Sequence, residues 1–182
     1  EIRKDLISKG ITISTNGDTE VLLEGYVKYG RGILNMLRGQ FAFAIYDSFE
    51  ESFFLARDRI GIKPLYFSIN KNNLIFSSEL KAIEKSEMIP FTPDVDSYVA
   101  YLRHLCVPAD RTGNKNISKV EPGQFLKIMK DGNLEKTKYW DPFSFDVNND
   151  MSTQEAVNKV EELLIESVGY RQVSDVEVGL FL

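Results

Sequence analysis

Phe41-Ala42-Phe43-Ala44-Ile45-Tyr46-Asp47 and Phe53-Phe54-Leu55-Ala56-Arg57-Asp58 are two mostly apolar, aromatic-rich runs on either side of a polar turn at residues 48–52. Pro64-Leu65-Tyr66-Phe67-Ser68-Ile69 and Leu74-Ile75-Phe76-Ser77 follow, with Asn70-Lys71-Asn72-Asn73 between them as a hairpin turn by composition. Residues 40–80 therefore predict an antiparallel meander, apolar enough to be covered on at least one face.

Upstream of this core the period is helical. Ile2, Leu6 and Ile7 share a face over residues 1–9, and Gly10 sits where a glycine stops a helix. Ile11 and Ile13 alternate with Thr12 and Ser14, which predicts a short extended stretch. Asn16-Gly17-Asp18 is turn chemistry, with Asp18 placed as an N-cap. Val21, Leu22, Gly25 and Tyr26 then recur at helical spacing, and a shorter helical piece covers residues 33–37.

Downstream, residues 95–105 predict a helix with Asp94 or Asp96 near its start. Residues 125–129 and 134–140 form a second hairpin turning at Asp131-Gly132. Residues 141–149 are a polar linker and the best domain boundary. Beyond it, Ser152-Thr153-Gln154-Glu155 has the capping-box form, and Ala156, Val157, Val160, Leu163, Leu164 and Val168 trace one apolar helix face. Val176-Glu177-Val178-Gly179-Leu180-Phe181-Leu182 reads as a buried-type strand. A helix and one strand open an α/β unit but are too short to be a domain alone.

Composition bounds the function. The 182 residues carry 22 Lys plus Arg against 27 Asp plus Glu, a net charge of −5, with 43% apolar and 27% charged residues. That is ordinary globular composition, not collagen, low-complexity disorder or a disulfide scaffold. An acidic balance argues against a nucleic-acid partner. One cysteine makes neither an internal disulfide nor a structural zinc site. No apolar run approaches the roughly 18 residues of a membrane span, and Glu1-Ile2-Arg3-Lys4-Asp5 is not a signal peptide. The expected location is cytoplasmic. The sequence starts inside a helical pattern, as if a longer chain had been cut.

Few residues advertise chemistry. His104 and Cys106 could form a nucleophile pair, but residues two apart on a helix do not face each other, so a helix-end His and a buried thiol are the plainer reading. Arg57-Asp58-Arg59-Ile60-Gly61-Ile62-Lys63-Pro64 is a charged island that could hold an anion, make an interdomain contact, or simply satisfy a tight turn between strands. Asp18 could be a substrate carboxylate or a helix cap. No phosphate-cradling G-x-x-x-x-G-K and no metal-ligand spacing occur.

Taken together, Gly17-Asp18-Thr19-Glu20-Val21-Leu22-Leu23, Gly39-Gln40-Phe41-Ala42-Phe43-Ala44-Ile45-Tyr46-Asp47 and Ala56-Arg57-Asp58-Arg59-Ile60-Gly61-Ile62-Lys63-Pro64-Leu65-Tyr66 resemble the glutamine-hydrolysing asparagine synthetases, class II glutamine amidotransferases. The resemblance continues through Phe76-Ser77-Ser78-Glu79-Leu80-Lys81-Ala82-Ile83, Val120-Glu121-Pro122-Gly123, Lys138-Tyr139-Trp140 and Ser174-Asp175-Val176-Glu177-Val178-Gly179. It implies an α+β chain. Residues 1–145 would be an N-terminally truncated Ntn-hydrolase αββα glutaminase domain with antiparallel sheets. Residues 151–182 would be the first helix and strand of an α/β synthetase domain. The implied parent uses ATP and magnesium to activate aspartate, which ammonia from glutamine then attacks. Glutamine and aspartate are the implied partners, with a homo-oligomer compatible.

The resemblance also implies what this stretch lacks. The family's nucleophile is an N-terminal Cys, whereas this sequence begins with Glu1, and Cys106 matches no catalytic position. The Ser-Gly-Gly-x-Asp-Ser pyrophosphate loop is expected just beyond Leu182. No catalytic or metal-binding residue carries over, and the stretch by itself is expected to be inactive. Two positions do carry over. Asp18 matches the aspartate that binds the α-amino group of glutamine, and Phe181 falls where the strand backbone meets the adenine of ATP. An amidotransferase with another acceptor, such as a sugar acid or a β-lactam precursor, and a non-catalytic scaffold of this fold are the alternatives.

Overall fold

The structure is a computed structural model that describes residues 1–70, 73–108, 110–145, 150–172 and 176–179. The chain divides into two compact units, Glu1–Phe143 and Ser144–Leu182. In the first, helices α1 (Ile2–Ser8), α2 (Asp18–Tyr29) and α3 (Ile33–Met36) precede strands β1 (Ala42–Asp47), β2 (Ser52–Arg57), β3 (Tyr66–Asn70) and β4 (Asn73–Ser77). Helices α4 (Leu80–Lys85) and α5 (Val95–His104) follow, then β5 (Ser118–Lys119), β6 (Gln124–Met129) and β7 (Leu134–Lys138).

The strands form two antiparallel sheets, ordered β1-β2-β6-β7 and β4-β3-β5. Strand β2 explains how they stack, because its two faces are both apolar. Phe54 and Ala56 point to one side, where they pack with Ile33, Leu34, Ile45 and Phe125 beneath the first three helices. Phe53 and Leu55 point to the other side, where they meet Leu65, Phe67, Val120, Leu126 and Ile128 between the sheets. On the far face of the second sheet, Tyr66, Ile75 and Leu80 pack on Ile83, Ile89 and Ile117. The layers are therefore helix, sheet, sheet, helix. Leu6, Ile33, Leu34, Phe54, Leu55 and Leu126 are all buried, and each such side chain stabilises the fold by about 1.5–3 kcal/mol.

The single meander expected over residues 40–80 is corrected here: β2 and β3 do not pair but lie in different sheets. Two physical causes act. The edge of β2 away from β1 is taken by β6, with Leu55 opposite Leu126. Between β2 and β3, the Asp58 carboxylate gathers backbone N–H groups into a compact loop, and Pro64 has no N–H to offer a ladder.

Other local expectations change too. No strand forms at Ile11 to Ser14, because the Ile11 N–H folds back onto the Leu6 carbonyl at 3.1 Å to finish α1. Asp18 is not the N-cap of α2; Gly17 holds that position in an extended conformation, and Asp18 is the first helical residue. Residue Gly123 has φ of +64°, and a Cβ there would sit 2.4 Å from the Trp140 carbonyl oxygen, so only glycine fits. Its own carbonyl accepts the N–H groups of Tyr139 and Trp140, which ends β7 at Lys138.

In the second unit, α6 (Thr153–Arg171) opens with the expected capping box: Ser152 Oγ accepts from the Glu155 N–H and Glu155 Oε2 accepts from the Ser152 N–H at 2.9 Å. The strand expected at 176–182 does not appear at 176–179. The rest of that stretch, including Phe181, lies outside the described residues. Among the described residues no helix is long and apolar enough to cross a membrane.

Candidate functional site

Asp18 stands at the start of α2, at the end of a loop that joins it to α1. That loop is held from both sides. Arg3 on α1 donates to the Thr15 carbonyl at 2.6 Å and to the Gly17 carbonyl at 3.1 Å. Glu20 on α2 accepts from the Ser14 N–H at 2.8 Å and from both the N–H and hydroxyl of Thr15 at 2.6 Å. The Ser14 N–H, then the hydroxyl and N–H of Thr15, hold the Glu20 carboxyl below the usual carboxylate range. At the far end of α2, Lys9 bridges Asp5 and the Tyr29 hydroxyl at 2.8 Å each, and that hydroxyl donates to Asp5. The two helices are thus fastened at both ends.

Asp18 itself is exposed, and its carboxylate meets no hydrogen-bond or ion-pair partner among the described residues. It gains only from the N-terminal end of the helix dipole, which favours negative charge. A carboxylate held in place yet unspent suits a cationic ligand group, from which it can accept charge-assisted hydrogen bonds.

The charged island is spent on the fold. Asp58 is 1% exposed; its Oδ1 accepts from the N–H groups of Ile60 and Ile62 at 3.2 and 3.0 Å, and its Oδ2 from Lys63 at 3.0 Å and Phe41 at 3.3 Å. Burial pushes this carboxyl up, but the N–H groups of Lys63, Ile62 and Phe41 outweigh it and hold it below its usual range. Arg57 donates to the carbonyls of Lys63, Val120 and Gly61, and Arg59 to those of Leu37 and Asn35. The island is a crossover lock between the two sheets rather than an anion site.

His104 ends α5, and Cys106 lies beyond it, exposed rather than buried as expected; no hydrogen bond joins them among the described residues. Among the described residues no group of three or more His, Cys, Asp or Glu side chains is placed to hold a metal ion. The sequence reading picked out Asp18 but missed Arg3 and Glu20 as its supports. Their partners are backbone groups 5–14 residues away, which leave no trace in residue spacing.

Two stacked antiparallel sheets between helical layers define a four-layered α+β fold. A solved structure of the allosteric regulatory enzyme of purine biosynthesis shares that fold, with a TM-score of 0.53 at 23% identity, covering 81% of this chain and 26% of that one. Residues 1–140 match the family model of the glutamine amidotransferase domain, and the chain belongs to that family. It is similar to asparagine synthetase [glutamine-hydrolyzing] 1 of Bacillus subtilis, at 35% identity over all of this chain and 28% of the relative. A putative asparagine synthetase [glutamine-hydrolyzing] of Mycobacterium tuberculosis is 32% identical over all of this chain and 29% of its own length. Amidase chry2 of Gibberella zeae is 32% identical over 92% of this chain and 25% of its own length. The chain thus spans about a quarter of the length of the curated relatives it matches.

Proposed function

We propose that this chain is the glutamine-handling part of an asparagine synthetase-like ligase, in which glutamine hydrolysis supplies ammonia to an ATP-activated aspartate carboxylate. The observation that carries the reading is the unspent Asp18 carboxylate on a braced helix start. In this reading Asp18 takes the α-ammonium of glutamine and so fixes which way the substrate enters. The attacking thiol and the oxyanion donors come from a segment outside these 182 residues. Residues 1–145 are the glutamine domain, and residues 151–182 open the ATP-binding domain, with the backbone at Phe181 meeting the adenine. The protein works in the cytoplasm on small molecules.

A second reading keeps the glutamine step and changes the acceptor. The 32% identity to an amidase favours it, because the relatives of this domain are not all named as asparagine synthetases. The glutamine step is tested with Asp18→Asn in the full-length gene product. Glutamine-dependent synthesis is expected to fall about ten- to a hundredfold, the worth of a charge-assisted hydrogen bond, with ammonia-dependent synthesis retained. Equal loss of both would reduce Asp18 to a structural residue. Offering aspartate against other carboxylic acids, with ammonia as donor, separates the two acceptor readings.

A further inference from the structure

We infer that Arg3 and Glu20 are the positioning residues of the glutamine site, acting on glutamine only through the place they give to Asp18. The inference rests on the role proposed for Asp18.

Asp18 makes no side-chain hydrogen bond or ion pair among the described residues, so its location is set by the backbone on either side. On one side is the first turn of α2, where the leading N–H groups have no intrahelical partner and fraying starts. On the other is Asn16-Gly17, the least restrained kind of dipeptide. Left alone, this junction would let the carboxylate wander, and a ligand would have to order it on binding. Arg3 and Glu20 remove that freedom by dividing the loop's polar groups by sign. The guanidinium takes the two carbonyls, Thr15 and Gly17, of which the second belongs to the residue directly before Asp18. The carboxylate takes the two N–H groups, Ser14 and Thr15, together with the Thr15 hydroxyl. Thr15 is gripped by both.

The arrangement also keeps the site open. Both terminal nitrogens of Arg3 are occupied by carbonyls, and no ion pair joins Arg3 to the Asp18 carboxylate among the described residues. Glu20 carries a second negative charge in the same helical turn, and its charge is engaged with N–H groups of the loop. Of the two acidic residues, Asp18 alone is left to a ligand cation.

The experiment measures glutamine-dependent and ammonia-dependent synthesis by the full-length gene product carrying Arg3→Gln, Glu20→Gln, Arg3→Lys or Asp18→Asn. Arg3→Gln and Glu20→Gln are expected to raise the KM for glutamine about tenfold, with kcat and ammonia-dependent synthesis held and Tm lowered only slightly. Arg3→Lys, which keeps one donor contact, is expected to fall between. Adding Arg3→Gln to Asp18→Asn is expected to raise KM no further. A KM unmoved by Arg3→Gln and Glu20→Gln while Asp18→Asn raises it overturns the positioning role and leaves the Asp18 reading standing. A KM unmoved by Asp18→Asn overturns that reading first, and this one with it. Parallel losses with glutamine and ammonia overturn the positioning role in favour of a structural one.

Discussion

The hydroxyl of Tyr139 donates a 2.8 Å hydrogen bond to the carbonyl oxygen of Arg57, across 82 residues of sequence. It ties the end of β7 to the point where the chain leaves the first sheet. The ring packs against the core beneath the first three helices, and burial pushes the phenol up to about 12.

Tyr139→Phe is therefore expected to lower stability by about 1 kcal/mol, the net worth of one hydrogen bond, measured by urea unfolding. The native protein should show one of its eight tyrosines ionising near pH 12, followed by absorbance of the phenolate, and the variant should lack that step. The sign follows from the raised value. The contribution to stability is whole below pH 10, the ordinary value, and is lost as pH rises through about 12.

Asp58→Asn should be much costlier. Asparagine would set an NH2 group against N–H donors that now converge on a carboxylate. A loss of about 3 kcal/mol is expected, since buried donors would go unmet. A loss under about 1 kcal/mol in urea unfolding would mean that the crossover is held by Arg57 and Arg59 without it.

Acid should unfold the first unit in a defined window. The Ser97 hydroxyl, then Arg111 at 2.6–2.8 Å, hold the Asp94 carboxyl below its ordinary 3.8, and Asp58 is held below it as well. Groups lowered by folding stabilise it above their ordinary value, and that support is lost as pH falls through the lowered values. Stability should stay level from neutrality to about pH 5 and fall below 3.8. Arg111→Gln should move the acid midpoint, read by circular dichroism, to higher pH.

Gly25 of α2 lies close against Ile33 of α3. A Cβ there would lie 2.5 Å from Cδ1 of the fully buried Ile33. Gly25→Ala gains up to about 1 kcal/mol in helix propensity, but overpacking costs about 1–3, so a net loss of about 1 kcal/mol is expected. Ile33→Val removes the clashing methyl. The double variant should be more stable than the sum of the single changes predicts, a coupling readable by thermal unfolding.

Most strands were legible because apolar runs and turn residues mark them locally. The β6–β7 hairpin turns at Gly132 as its Asp-Gly pair predicts, and α6 starts at the box its four residues spell out. Their assignment to sheets was not legible. Whether β2 continues into β3 depends on which strand claims its free edge, and β6, the strand that does, lies about seventy residues away in sequence. Spacing alone made Asp18 a cap. The helix start removes the cap, since Gly17 takes that position, and leaves the carboxylate unspent, which is what supports the ligand role the resemblance implies. The braces at Arg3 and Glu20 were hidden for the same reason as the sheet order: backbone partners carry no residue identity.

Strand β2 has neighbours on both edges and apolar layers on both faces. Its amides should be among the last in the domain to exchange with deuterium, because freeing them means separating both sheets. The opposite holds at residues 131–133, an exposed tip that touches neither core. New chain ends opened at that tip should be tolerated, whereas a cut within 52–57 should dismantle every layer together.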